Sequence, residues 1–329
     1  MGITLKDLAR ICGVSLATVD RAFRDRPGIS PRTRAMILEK ARELNYKPNV
    51  VARNLKIGRT NEIGLIVHDL DNEFFAQLVN VIQAIAWSHH YFLRLSVSLR
   101  DAARERTVLE HMVAQNVDGI ILFPTASGDG FGAFLQGLNR PIVTIANKVS
   151  EGLPFVGLSD RAIMHEVTET IIQKGYRRLI FVGPLDVDEK KANLYEIDER
   201  FAGFSDILSA HPGVQYRIVS TAGDYVGEIH GMDLSQPRTA VVCCSDIFAL
   251  EILNDIKARG LAVPADVGLM GFDSIHALRY ITPKLSTVEY PIEKVGEIAV
   301  SLFLDMQKSA DNQVRSVELM PTIQWGESL

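Results

Sequence analysis

The sequence has no apolar run near the roughly 20 residues that a bilayer-spanning helix needs. Its first residues, MGITLKDLARICG, carry acids and bases at helical spacing where a signal peptide would be apolar. A myristoylation pattern fails at Lys6, which stands where Ser or Thr is required. A cytoplasmic protein is the expectation. Cysteine is scarce, at three in 329 residues, and no C-x-x-C spacing offers a zinc or redox site. Cys243 and Cys244 are adjacent, so on a strand they point to opposite faces and read as small buried residues in a reducing compartment. Walker A, G-x-S-x-G and H-E-x-x-H motifs are all absent. The stretch GDGFGAFLQ has Gly130 and Gly132 but Leu135 in place of a third glycine, and no strand leads into it. The eight histidines are scattered, and the neighbours His89 and His90 cannot face one metal from a helix. No catalysis, cofactor or metal is expected. Tandem repeats and low-complexity tracts are also missing.

What is present is enough apolar material, 47% of residues against 23% charged, for two or three packed domains. The net charge of −5 conceals a split. Residues 1–60 hold 13 Lys and Arg against 5 Asp and Glu, a balance of +8, which leaves −13 for the rest. A small basic head on a large acidic body points to nucleic-acid binding confined to one domain.

Within the head, Thr4 and Asp7 nearly form a capping box ahead of an apolar stripe at Leu5, Leu8, Ala9 and Cys12. Gly13 can end that helix in the left-handed region, Val14 turns inward, and Ser15 caps LATVDRAF. Ser30 and Pro31 open a third helix through SPRTRAMILEKARELNY, with Ile37, Leu38, Ala41 and Leu44 inward. Two short helices on a tight glycine turn make a helix-turn-helix. On the second helix Val19, Ala22 and Phe23 share one face, while Ala17, Arg21 and Arg24 cluster opposite, flanked by Leu16 and Asp20. In a major groove, Leu16, Ala17, Asp20 and Arg21 would meet base edges: Arg21 a guanine, Leu16 and Ala17 thymine methyls. Thr4, Ser15, Thr18 and Arg32 suit phosphates, which fix position without reading sequence.

The run TLKDLARICGVSLATVDRAF, then ISPRTR and LNYKPNVVARNLKIGRTNEIG, resembles the DNA-binding head of the LacI/GalR family of bacterial transcriptional regulators. Asp20 departs from that family, where Ser is more frequent. Two readings of it stand: an i,i+4 pair with Arg24, or a carboxylate accepting from cytosine N4. After Pro48, Asn49 can cap a short helix running to Leu55. The resemblance makes residues 48–60 a hinge that orders on operator DNA, with Ala52 in the minor groove and Leu55 a wedge between base pairs. Ordinary packing on the body is the other reading of Leu55.

From residue 61 on, apolar runs such as IGLIVHD, VDGIILFP, RRLIFVGP, TAVVCCS and DVGLMGF alternate with amphipathic stretches. That alternation indicates parallel sheets in α/β units, and eight or more strands indicate two lobes with a cleft. The order resembles the periplasmic-binding-protein-like core of the same family. It implies one lobe of about 61–160 with 291–320 and another of about 161–290 with 321–329. The whole chain thus reads as an all-α helix-turn-helix head, residues 1–47, a hinge, and an α/β two-lobed core, residues 61–329. Ligands of open α/β sheets bind beyond the carboxyl ends of strands. The candidates there are Asp71, Asn72, Phe74, Phe75, Phe123, Asn147, Ser245, Asp246 and Asp273. Arg200 in ERFAGF matches the family's ligand arginine. Each has a plainer reading: Asp246 and Asp273 as helix caps, Phe74 or Phe75 as core. Ser245 stands where Asn is frequent and Ala146 where an acid is common, so no particular sugar follows.

The expectation is a homodimeric transcriptional regulator, most simply a repressor. Its partners would be double-stranded operator DNA and a small hydroxylated effector, a sugar, polyol or sugar acid. A purine or other non-sugar effector is the alternative. A solute-binding protein is disfavoured by the basic head and the missing leader. The resemblance implies no membrane partner and a cytoplasmic location, on the nucleoid when bound to DNA.

Overall fold

The structure, a computed structural model, describes residues 3–23, 26–47, 58–185, 192–308 and 315–329. It divides into two units, Met1–Thr60 and Asn61–Leu329. Of the positions singled out above, Arg24, Asn49, Ala52 and Leu55 lie outside the described residues.

In the first unit, α1 (Leu5–Ile11) starts on a complete capping box. Thr4 Oγ1 accepts from the Asp7 amide at 3.2 Å, and Asp7 Oδ2 accepts from the Thr4 amide at 3.1 Å. Two otherwise orphaned amides are thereby satisfied. Gly13, at φ +68°, makes the left-handed step that ends this helix. Ser15 Oγ then accepts from the Thr18 amide at 3.1 Å and opens α2 (Leu16–Phe23). Ser30 caps α3 (Pro31–Glu43) in the same way, with proline at the first helical position, where no amide is needed. Leu8, Ala9, Val19, Ala22, Ile37 and Ala41 are buried together between the three helices.

The second unit runs β1 (Glu62–Val67), α4 (Glu73–Ser88), β2 (Phe92–Val97), α5 (Ala102–Ala114), β3 (Gly119–Leu122), α6 (Asp129–Gly137), β4 (Ile142–Ile145) and β5 (Phe155–Leu158). It continues with α7 (Asp160–Gln173), β6 (Arg178–Gly183), α8 (Tyr195–Ala210), β7 (Gln215–Ser220), α9 (Tyr225–His230), β8 (Thr239–Cys243), α10 (Asp246–Ala258) and β9 (Val267–Asp273). A 3-10 turn at His276–Tyr280 leads to β10 (Ser286–Glu289), α11 (Ile292–Lys308), β11 (Ser316–Leu319) and β12 (Thr322–Gln324).

Two six-stranded sheets result, ordered β11-β5-β4-β3-β1-β2 and β12-β10-β9-β8-β6-β7. All pairings are parallel except β10 with β12. The inner strands β3, β4, β5, β8 and β9 are buried along their whole length, because helices cover both faces. Each sheet defines a lobe. The chain passes between the lobes after β5, β10 and β11. Since β1–β4 and β6–β9 are parallel within their sheets, their carboxyl ends gather along one rim of each lobe. No described helix is long and apolar enough to cross a membrane.

Candidate DNA-reading helix and interlobe cleft

On α2, packing of Val19 and Ala22 into the head core turns Leu16, Ala17 and Arg21 outward. Leu16 is 42% exposed, an apolar side chain left open beside a guanidinium. Thr18 and Asp20 are half-buried on the shoulders of that face. The hydroxyls assigned to phosphates above are engaged inside the head. Thr4 Oγ1 lies 2.6 Å from Asp7 Oδ2, and the Ser15 and Thr18 hydroxyls lie 2.8 Å apart. Arg32 is exposed on the first turn of α3.

Between the lobes lies a cleft of ≈ 780 Å³, lined from both sides. Arg200 forms its floor, with a side chain only 3% exposed. Its Nε donates to Asp160 Oδ1 at 2.7 Å, Nη1 donates to the Cys244 carbonyl at 2.7 Å, and Nη2 reaches Glu196 Oε2 at 3.5 Å. The guanidinium carbon sits 3.5 Å above the Phe272 ring. Gly203 explains the R-x-x-G spacing. A Cβ there would stand 2.2 Å from the Arg161 carbonyl oxygen, so only glycine lets α8 press against the start of α7 and bring Arg200 to Asp160.

A buried ion pair of this kind is held by geometry against a large desolvation penalty. Burial pushes the Asp160 carboxyl up to about 7 despite Arg200, with Glu196 adding repulsion. Burial raises the Glu196 carboxyl too, against the pull of Arg200 and Arg100. Asp273 is pushed well above the carboxylate range, by burial first and then by Asp246, again opposed by Arg200. For Arg200, burial works against the charge, but Asp160, Glu196 and Asp273 outweigh it and its pKa rises.

The other candidates divide. Asp273, at the end of β9, has φ +111°, a strained position for a residue with a Cβ. Its Oδ2 accepts from Ser245 Oγ at 2.8 Å, and both residues line the cleft. Asn147 Oδ1 accepts from the Glu196 amide at 3.0 Å, so a first-lobe side chain ties down the first turn of α8. Asn72 caps α4 by accepting from the Phe74 amide at 3.1 Å, and Asp71 is exposed at the rim. Phe74 and Phe75 border the cleft while both are buried in the hydrophobic core, their rings edge-on at 5.2 Å.

Two expectations need correction. Phe123 is not among the cleft-lining residues; it lies behind them, edge-on to His68 at 4.7 Å and to Phe75 at 5.1 Å. Asp246 is also absent from the lining. Its Oδ1 accepts from Thr287 Oγ1 at 2.7 Å and its Oδ2 from the Ile275 amide at 3.0 Å, which binds α10 to β10 and the turn after β9.

Several residues of the site escaped the sequence reading. Glu196 stood four residues before Arg200, a spacing that does signal a helical pair. Arg100 leans in from a left-handed turn with Leu99, 3.9 Å from Asp69. Asn193 bridges the lobes, donating its amide to the Thr125 carbonyl at 2.6 Å and its side chain to the Lys148 carbonyl at 2.8 Å. His68 lines the cleft while 3% exposed, and neither ring nitrogen has a well-formed hydrogen bond among the described residues. No described group of three His, Cys, Asp or Glu could hold a metal.

Residues 4–49 match the bacterial regulatory proteins of the lacI family, and residues 168–329 match a periplasmic binding protein-like domain. The ribose operon repressor of Haemophilus influenzae is 30% identical over 99% of this chain and 98% of its own. The chain belongs to the LacI family. The HTH-type transcriptional repressor PurR of Proteus mirabilis is 28% identical over 97% of this chain and 95% of its own. A lac repressor chain, solved as a dimer on operator with the anti-inducer ONPF, shares the fold at a TM-score of 0.84 with 22% identity, covering 100% of this chain and 99% of that one. As a LacI-family member the protein is a DNA-binding transcriptional regulator and not an enzyme.

His68 makes this LacI-family core sensitive to acid. Burial first, then Arg100, lowers its pKa from 6.5 to about 3. An unfolded chain therefore takes up a proton below pH 6.5 that the folded chain refuses, and stability falls as pH drops through that window. Between pH 7 and pH 5 the expected loss is about 2 kcal/mol. Urea unfolding of the wild type and His68→Phe at both pH values isolates the effect, because the variant lacks this slope. Equal pH dependence in the two would disprove the neutral buried imidazole.

Proposed function

We propose that this LacI-family regulator is a repressor that reads a near-palindromic operator as a homodimer and is controlled by a small hydroxylated effector in the interlobe cleft. In this reading residues 1–47 bind DNA, 48–60 form the hinge, and 61–329 bind effector and dimerise. The observation that carries it is the cleft itself, where Asn147 and Asn193 join lobe to lobe around Arg200. A ligand at that point touches the contacts that set the lobes' relation, so its binding is linked to lobe geometry. Hydroxyl-rich molecules suit a floor of guanidinium, carboxylates and amides beside the Phe74 and Phe75 rings.

On the head, Leu16, Ala17, Asp20 and Arg21 are the proposed base readers, with Arg24 beside them, while Thr4, Ser15, Thr18 and Arg32 face phosphates. Asn49, Ala52 and Leu55 belong to the proposed hinge. Self-association is supported by an apolar patch at the end of α4 and on the outer strand β2. Trp87 is 60% exposed and Phe92 55%, their rings edge-on at 5.1 Å. A surface of that kind on a sheet edge calls for a partner.

Selection of bound sites from random duplex DNA tests the DNA half. A two-fold symmetric consensus is expected, and an asymmetric single site would contradict dimeric reading. The same selection with Asp20→Ser separates its two readings: a changed base at one position means readout, whereas uniformly altered affinity means pairing with Arg24. A thermal-shift screen with neutral sugars, polyols and purines tests the effector half. Stabilisation by purines alone would overturn the hydroxylated class.

A further inference from the structure

Glu105 lies on the first turn of α5, fully buried and not among the residues that line the cleft. Its two oxygens serve two neighbouring amides in the loop after β3. Oε1 accepts from the Thr125 amide at 2.6 Å and Oε2 from the Ala126 amide at 3.0 Å. The Thr125 hydroxyl is held as well, 2.8 Å from Ser98 Oγ, and both of those residues are fully buried. Burial opposes a charged carboxyl here and pushes it up to about 7, although the bonds from Thr125 and Ala126 favour the charge. A carboxyl kept in so unfavourable a place calls for a reason beyond packing, and the far side of the loop supplies one.

The Ala126 N–H and the Thr125 C=O belong to a single peptide plane and point in opposite directions. By holding the N–H, Glu105 decides where the carbonyl points. It points across the boundary between lobes, where it accepts from the Asn193 amide at 2.6 Å. Asn193 is itself buried. Its Nδ2 donates to the Lys148 carbonyl at 2.8 Å and to the Ala126 carbonyl at 3.3 Å. Its Oδ1 stays on its own side, accepting from the Tyr195 amide at 3.3 Å. Donor and acceptor ends of this side chain therefore have fixed directions. The residue leads straight into α8, the helix that carries Glu196 and Arg200.

We propose that Glu105 is a positioning residue for the motion between lobes: by clamping one peptide unit of the first lobe, it presents the carbonyl onto which the second lobe latches. The inference rests on the reading of the cleft as the site of control, since that reading links the lobe contact to DNA binding. Without the clamp the peptide plane is free to rotate, and the Asn193 amide loses a fixed acceptor. The start of α8 then loosens, in the lobe that Glu105 does not belong to.

Hydrogen exchange with mass spectrometry on the full-length protein tests this without any ligand, at pH 8, where the carboxyl is ionised. Glu105→Gln sets an NH2 group against one of the two amides, so one bond of the clamp is lost. Residues 193–200 are expected to exchange about tenfold faster in this variant, while β8 and β9, in the core of the same lobe, keep wild-type protection. Glu105→Asp, whose carboxylate falls short of the loop, is expected to loosen the same residues and serves if the glutamine variant does not fold. Unchanged exchange at 193–200 in a folded variant overturns the proposal. So does faster exchange confined to the loop after β3 or spread evenly over both lobes, because Glu105 then only stabilises the fold. The reading of the cleft fails separately, if none of the sugars, polyols and purines shifts the melting temperature of the wild type, and the exchange result still decides the role of Glu105.

Discussion

Arg200→Met is expected to destabilise the core by about 3–5 kcal/mol and to abolish the effector response, since it strands buried carboxylates without their cation. Asp160 is the most exposed to the loss: its side chain is 2% accessible and Arg200 is its ion-pair partner at 2.7 Å. Glu196 and Asp273 lose the same counter-charge. The deficit has a pH signature. Without the guanidinium these carboxyls titrate higher still in the folded chain, so the variant holds protons that an unfolded chain releases. Its stability therefore recovers as pH falls from 7 toward 5, relative to wild type. Urea unfolding at the two pH values, together with thermal shifts on ligand addition, measures both parts. Combining Asp160→Asn with Arg200→Met restores part of the loss, because one buried charge is then gone. A single variant within about 1 kcal/mol of wild type that still responds to ligand would show that this pair organises nothing.

Arg21→Ala is expected to cost about 1–3 kcal/mol of operator affinity and to relax preference at one base-pair position. The residue is exposed on α2 and outside the head core of Val19, Ala22 and Ile37, so folding is unaffected. Arg32→Ala, on the first turn of α3, serves as the contrast. It weakens binding evenly across sequences and lowers the salt dependence by about one phosphate contact. Operator selection and salt titration distinguish the two. Unchanged base preference in Arg21→Ala would remove α2 from the reading role.

The head was legible because its determinants are local. The Thr4–Asp7 box, the glycine at position 13, the Ser30–Pro31 start and the helical apolar spacing all act within a few residues. The alternation of buried strands and amphipathic helices was legible for the same reason. Four strands escaped notice: Phe155–Leu158, Ser286–Glu289, Ser316–Leu319 and Thr322–Gln324. At three or four residues each they are short, and STVE, SVEL and TIQ lack the unbroken aliphatic run that marked the equally short Gly119–Leu122. The cleft was only partly legible. Proximity to strand ends pointed to Asp273 and Ser245, but the same rule also nominated Phe123 and Asp246, which the fold uses elsewhere.

The residues by themselves determined a basic helix-turn-helix head and an α/β body, because capping, periodicity and charge segregation are written along the chain, while the family came from the resemblance of the head's motifs. Tertiary structure alone decided which charges are neighbours. Asp160 and Arg200 are forty residues apart and meet because Gly203 allows two helices to touch. His68 loses its proton affinity only once the fold buries it against Phe75 and Phe123, with Arg100 nearby. Pairing and desolvation depend on distances of a few ångströms through space, and spacing along a sequence does not encode them.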